Sequence, residues 1–201
     1  MYDKVRKLIL TEKIEELEKM KKSGVDFLKV VDKKSINLGL PEVSLAQFAI
    51  SAGNVDILKI ILSESKLDST KWTSCSINNA FDAIEEEETK RMISYLVSLG
   101  EDINCNKAIS DHGGPLSKAI DSGSVELVNF LLENGANVDQ NYGAMGSPLI
   151  IAIKEKKNKI ALALIRNAKD LSIVDDDGKT ALDIAKDMKM NKIVKSLEAK
   201  N

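Results

Sequence analysis

Along residues 113–139 the apolar positions follow a helical beat that stops, restarts and stops again. Leu116, Ala119 and Ile120 recur at helical spacing, and Val125, Leu127, Val128, Leu131 and Leu132 form a second stripe with a polar back. Pro115 suits the first position of a helix, where its missing N–H costs nothing. Gly123 and Gly135 can adopt the left-handed conformation that ends a helix. The stretch therefore predicts turn, short helix, tight stop, second helix and loop. Two helices this short cannot bury their own apolar faces, so the unit needs a copy of itself on each side.

The copies are present. An Ala of the first helix recurs as Ala49, Ala83, Ala119, Ala152 and Ala185, at intervals of 34, 36, 33 and 33 residues. Ile follows it in the first four copies, as Ile50, Ile84, Ile120 and Ile153. Ser147-Pro148-Leu149-Ile150-Ile151-Ala152 is similar to the Thr-Pro-Leu-His-x-Ala opening of ankyrin repeats. Gly100-Glu101-Asp102-Ile103-Asn104 and Gly135-Ala136-Asn137-Val138-Asp139 resemble that family's Gly-Ala-Asp-Val-Asn loop, and Asp177-Gly178-Lys179-Thr180-Ala181-Leu182-Asp183-Ile184-Ala185 resembles a last repeat. The resemblance implies an all-α ankyrin-repeat solenoid of stacked antiparallel helix pairs joined by β-turn finger loops. It divides residues 1–201, read as a single domain, into repeats of about 1–35, 36–69, 70–105, 106–140, 141–172 and 173–201. The family's first-helix His is absent. Gln47, Ser117, Ile150 and Asp183 stand in its place, so its turn-bracing hydrogen bonds are not expected.

Two copies depart from the pattern. Lys156 replaces the helix-ending Gly of the fifth. In the third, a first helix is expected from about Asn78 to Glu88, one turn longer than usual, with the extra residue in Glu85-Glu86-Glu87-Glu88. Carboxylates at a helix C-terminus oppose the macrodipole at about 0.3–1 kcal/mol each, so they read either as a solvated acidic bulge or as a binding feature. The ends carry the charge that water-facing caps need: alternating Lys and Glu over residues 1–35, and Lys186, Lys189, Lys192, Lys195 and Lys200 at the other end.

Composition narrows the function classes. The chain is 43% hydrophobic and 30% charged, with 29 basic and 31 acidic residues, so it can build a core and lacks the basic excess of a general nucleic-acid binder. The start has no apolar run long enough for a signal-peptide core, and no stretch approaches the roughly 20 apolar residues of a membrane span. A cytoplasmic location is expected, with unconventional export left open. Cys75 and Cys105 fall in predicted loops one repeat apart and are expected as free thiols in a reducing compartment.

No motif argues for chemistry. Gly178-Lys179-Thr180 lacks the earlier Gly of a phosphate-binding loop, since Ile173 stands there. Asp175-Asp176-Asp177-Gly178 fails as a calcium loop, because Ile173 and Ile184 occupy ligand positions; its carboxylates are expected to brace the turn. His112, the lone histidine, reads as a turn residue. The chain is expected to be no enzyme, with no cofactor, no metal and no small-molecule substrate.

What the resemblance implies instead is partner binding through the concave face and the fingers. Those positions include Trp72, Ser74, Ser110, Asp111, His112, Tyr142, Ala144 and Met145 on the fingers. On the helices they include Ser51, Ala52, Glu86, Glu87, Asp121, Ser122, Lys154, Glu155, Lys186 and Asp187. The middle of the row is acidic, so the expected partner is a protein with a basic patch; nucleic acid and membrane are disfavoured. Trp72 and Tyr142 are the expected anchors, because interface hot spots favour Trp and Tyr; the competing reading packs each onto its own loop. An adaptor, an inhibitor or immunity-type protein and a host-directed effector all fit such a module.

Overall fold

The structure is a computed structural model, and it describes residues 1–27, 44–62, 75–82, 85–106 and 113–200. Trp72, Ser74, Ser110, Asp111 and His112 lie outside the described residues, as do Ala83, Ile84 and the loop 63–69. The chain divides into two compact units, Met1–Asp102 and Ile103–Asn201.

The second unit follows the sequence pattern closely. It holds α7 (Pro115–Ser122) with α8 (Val125–Glu133), α9 (Pro148–Lys154) with α10 (Asn158–Asn167), and α11 (Ala181–Asp187) with α12 (Asn191–Glu198). The first unit holds α1 (Tyr2–Leu10) with α2 (Ile14–Lys22), α3 (Leu45–Ser51) with α4 (Val55–Leu62), and α5 (Ser76–Asn79) with α6 (Glu86–Ser98). Each pair packs on itself and on the next pair within its unit. In the second unit the first helices α7, α9 and α11 form one row, and the second helices α8, α10 and α12 another. Apart from one isolated bridge between Val174 and Thr180, the described residues carry no β-pairing.

The core explains the spacing. Ala119, Ala152 and Ala185 are each fully buried, so consecutive first helices meet over a methyl group rather than a bulky side chain. Ile120, Val128, Leu131, Ile153 and Leu164 fill the space between the two rows, all with no exposed surface. Helix starts are set locally. Pro115 and Pro148 open their helices, and Ser124 Oγ accepts the Leu127 N–H at 2.9 Å.

The bracing lost with the family's His is supplied differently. Gln47 Oε1 accepts the Ser44 N–H at 3.1 Å while Ser44 Oγ accepts the Gln47 N–H at 3.1 Å. Asp183 and Thr180 repeat that reciprocal pair at 3.0 and 3.2 Å. Two of the substituents therefore hold the turn they were expected to leave unbraced. The stops also converge: Gly123 takes φ +75°, while Lys156 and Lys189 take φ +58° and +57° at the same point of the next two repeats. A non-Gly residue pays about 1–2 kcal/mol for that conformation, so packing of the flanking helices imposes the turn.

Polar ties join neighbouring repeats of the second unit. Asn104 Oδ1 accepts the Asn137 N–H at 2.7 Å, and its Nδ2 donates to the Gly135 carbonyl at 3.1 Å. One repeat on, the Asp139 carboxylate accepts the Lys169 N–H at 3.0 and 3.1 Å. Lys157 reaches back to donate to the Ile120 and Asp121 carbonyls at the end of α7, the latter at 2.8 Å. The Ile120 carbonyl also accepts the Gly123 N–H at 2.9 Å, and a cation suits that helix end. Asp175, with its side chain 2% exposed, takes Lys154 at 2.7 Å and the N–H groups of Asp177 and Lys179. The hydrogen bond from Lys154, then that from the Lys179 backbone, holds its carboxyl below the usual range against the opposing effect of burial.

The third repeat corrects two expectations. Its first helix is not long: α5 ends at Asn79, a 3-10 turn covers Ala80–Asp82, and Glu86 already opens α6. The added length lies in that second helix, which has 13 residues against 8 to 10 in the others. Glu86, Glu87 and Glu88 thus occupy a first turn, where carboxylates favour the macrodipole rather than oppose it. Glu86 pairs with Lys90 at 3.0 Å and Glu88 with Arg91 at 2.6 Å. The second correction concerns sulfur. Cys75, 1% exposed, and Cys105 are each disulfide-bonded, and neither is the free thiol expected.

Two outcomes check this description. Glu86→Ala removes a dipole-matched charge and an i,i+4 pair, and lowers stability by about 0.5–1 kcal/mol in urea denaturation; carboxylates at a helix C-terminus would instead give a gain. Asp175→Asn lowers the melting temperature at about pH 7, and the deficit shrinks towards about pH 3. A depressed folded pKa gives stability that is present above the ordinary carboxylate range and lost as pH falls through the folded value.

Candidate functional site

The repeat geometry brings one pair of predicted residues together at the ends of two consecutive first helices. Asp121 is the penultimate residue of α7, and Glu155 caps the end of α9. Both side chains reach solvent. Glu155 stands near enough for its charge and its side chain to act on the Asp121 carboxyl. Partial burial, then the charge and the neighbouring side chain of Glu155, push the Asp121 carboxyl above its ordinary value, while Lys157 and Lys118 pull the other way. Lys157 Nζ stands 2.7 Å from Glu155 Oε2 and is already committed to the α7 carbonyls. A cation arriving from outside would therefore find two neighbouring carboxyls, of which Asp121 has its pKa raised partly by the other's charge.

The other predicted positions scatter. Lys154 is engaged by Asp175 of the following repeat. Ser122 Oγ donates to the Ala119 carbonyl at 2.9 Å, closing its own helix end. Met145 lies half-buried in a 3-10 turn, Gly143–Met145, with Ala144 exposed beside it. Glu86 and Glu87 belong to the second helix of their pair, with Lys90 within 3.0 and 3.9 Å, and not to the first-helix row as expected. Ser51 Oγ donates to Asp82 at 3.1 Å, Ala52 is exposed, Asp187 pairs with Lys179 at 2.6 Å, and Lys186 lies 3.4 Å from Glu198.

Tyr142 does not stand out from the surface as an anchor would. It is 8% exposed, and its ring packs against Gly113 and Gly114, where an added Cβ would come within 3.4 and 3.3 Å of it. Burial pushes its phenol up to about 12, against the lowering effect of the Gly114 backbone, and its hydroxyl donates to Gln140 Oε1 at 3.4 Å. This is the packing reading of Tyr142. A buried phenol whose hydroxyl has a partner is a structural brace.

Sequence reasoning missed a polar cleft of about 420 Å³ in the first unit, lined by Glu12, Asp56, Glu85, Glu88 and Arg91. Its residues come from three helix pairs and share no motif. Arg91 sits 4.0 Å from Asp56 within it, and among the described residues no group of three His, Cys, Asp or Glu is placed to hold a metal ion.

Comparison with known proteins places this geometry. Residues 116–201 match the family model described as "Ankyrin repeats (3 copies)". An ankyrin repeat protein of Fowlpox virus (strain NVSL) is 33% identical over 92 residues, 45% of this chain and 27% of that protein. Alpha-latrotoxin-Lg1a of Latrodectus geometricus is 27% identical over 127 residues, 61% of this chain and 9% of the toxin. The chain thus spans less than a third of the length of these curated relatives. The crystal structure of the ankyrin repeat domain of Bcl-3 shares the fold at a TM-score of 0.70, covering 96% of each chain at 16% identity. No helix among the described residues is long and apolar enough to cross a membrane. The beat that Ala119, Ala152 and Ala185 mark in the sequence, and that the buried contacts of the helices repeat, is that of ankyrin repeats: residues 116–201 carry them, and the chain has the ankyrin-repeat fold.

Proposed function

We propose that the chain is a non-catalytic module that holds a basic segment of a partner protein, with Asp121 and Glu155 taking its Lys or Arg. Ankyrin repeats are general protein–protein interaction modules, and a rigid row of short helices can vary its surface without disturbing its core. The observation that carries the chemical side of the proposal is the proximity of two solvent-reaching carboxyls on consecutive repeats, which together with partial burial raises the Asp121 carboxyl. Residues 1–201 are read as one binding domain, and Trp72 keeps its place as an apolar anchor on the sequence argument alone. The contact needs little ordering, because the pair sits on helix ends fixed by packing. It calls for no cofactor, and a partner held this way is occluded or bridged, which suits an inhibitor, an adaptor or a host-directed effector.

Disulfide-bonded cysteines persist where the surroundings are oxidising, so the cytoplasmic location expected from the start of the chain is not carried into this proposal.

The test uses a labelled oligo-arginine peptide and fluorescence anisotropy. Asp121→Asn with Glu155→Gln weakens binding about tenfold at low salt and flattens the salt dependence. In the unaltered chain, affinity rises with pH. The raised Asp121 carboxyl is protonated below its folded value and gains charge as pH rises through it, and the double variant loses this dependence. Equal binding by the double variant, or an affinity flat in pH, overturns the proposal.

A further inference from the structure

The second-helix row carries a surface that the binding argument above does not use. Helices α10 and α12 pack side by side, and between them runs an open groove of about 550 Å³. Its floor is apolar, formed by Leu162 and Ile165 of α10 and Ala199 at the end of α12; its rim is cationic, formed by Arg166, Lys192 and Lys200. Helical spacing explains the composition. Positions 162, 165 and 166 share one face of α10, while 192 and 199 share one face of α12.

No carboxylate lines the groove. Glu198, the acid nearest in sequence, is 3.4 Å from Lys186 of α11. Lys200 Nζ donates to the Arg166 carbonyl at 2.8 Å, which fixes the lysine across the groove without neutralising it. Among the described residues none of the three rim cations forms an ion pair with a carboxylate. Three uncompensated positive charges around a strip of Leu, Ile and Ala define the complement: apolar side chains in the middle and carboxylates on both flanks.

We propose that the groove between α10 and α12 is a second docking surface, and that its occupant is an acidic amphipathic segment of a partner protein. Apolar side chains of the segment lie on Leu162, Ile165 and Ala199, and its Asp or Glu side chains meet Arg166, Lys192 and Lys200. A nucleic acid would use the cations and leave the apolar floor uncovered. A lipid surface would need apolar side chains that protrude, whereas Ile165 is 4% exposed at the bottom of the groove. The surface lies on the second helices, and the Asp121–Glu155 pair lies on the first helices, so the unit offers faces of opposite charge preference on its two rows.

The test uses the full chain and a short labelled helical peptide with Leu at i and i+4 flanked by Glu. Controls carry Ser for Leu or Lys for Glu. The Leu/Glu peptide binds and the controls do not. Lys192→Glu, an exposed position, weakens binding about tenfold, and Lys192→Gln weakens it less. Leu162→Ser weakens it about fivefold, and this loss persists at high salt because it is apolar contact that is removed. Asp121→Asn with Glu155→Gln leaves this peptide's binding unchanged, which separates the two surfaces. The proposal is overturned if the Ser control binds as well as the Leu peptide, or if Lys192→Glu variants that melt normally bind as tightly as the original. It is also overturned if only a short DNA duplex or anionic vesicles respond to Lys192→Glu, or if that variant merely abolishes self-association of the chain.

Discussion

A pair of helices seven to ten residues long has more apolar surface than it can cover by folding on itself, and this shortfall governs the molecule. Covering it requires another pair at close range, and close range requires a small side chain where the first helices meet. The fully buried Ala119, Ala152 and Ala185 meet that requirement in the second unit. Once the backbones are that near, side chains of one repeat can reach peptide groups of the next, as Asn104 reaches Asn137 and Asp139 reaches Lys169. The polar ties are a consequence of the apolar fit, and they lock the register the fit permits.

The same closeness organises charge. Helix starts collect acids and helix ends collect lysines because each short helix exposes an unpaired set of N–H or C=O groups at either end. Glu86, Glu87 and Glu88 at the start of α6 follow this rule, and so do Lys157 at the end of α7 and Lys200 at the end of α10. Asp121 and Glu155 break it. They are carboxyls at the ends of first helices, where the dipole is unfavourable, and they meet each other as well. Two unfavourable placements meeting at one exposed point distinguish this pair from the many surface acids that are simply solvated.

Legibility followed whichever constraint was strictest. The Ala positions, the Pro-opened helices and the glycine stops are dictated by contacts with almost no tolerance, so α7 to α12 could be placed from sequence. The third repeat could not, because a run of four Glu fits a helix interior as well as a helix start on periodicity alone. The discriminating signal was present in the spacing of Glu86 to Lys90 and in the preference of carboxylates for a first turn. Side-chain reach was the other blind spot. Lys154 looks like a free surface lysine until Asp175 arrives from the next repeat, and Tyr142 looks like an anchor until Gly113 and Gly114 leave room for its ring. The cysteines misled because the expectation rested on compartment rather than on geometry.

Several ties between repeats of the second unit run from a side chain to a peptide group: Asn104 to residues 135 and 137, Asp139 to residue 169, Lys157 to residues 120 and 121. A peptide group is the same whatever side chain it bears, proline's missing N–H aside. An exposed gripped residue such as Asn137 or Lys169 can therefore change while the grip persists. Assembly is thereby decoupled from surface identity, and a scaffold of this kind can be re-addressed to new partners by drift at the gripped positions without first being re-stabilised.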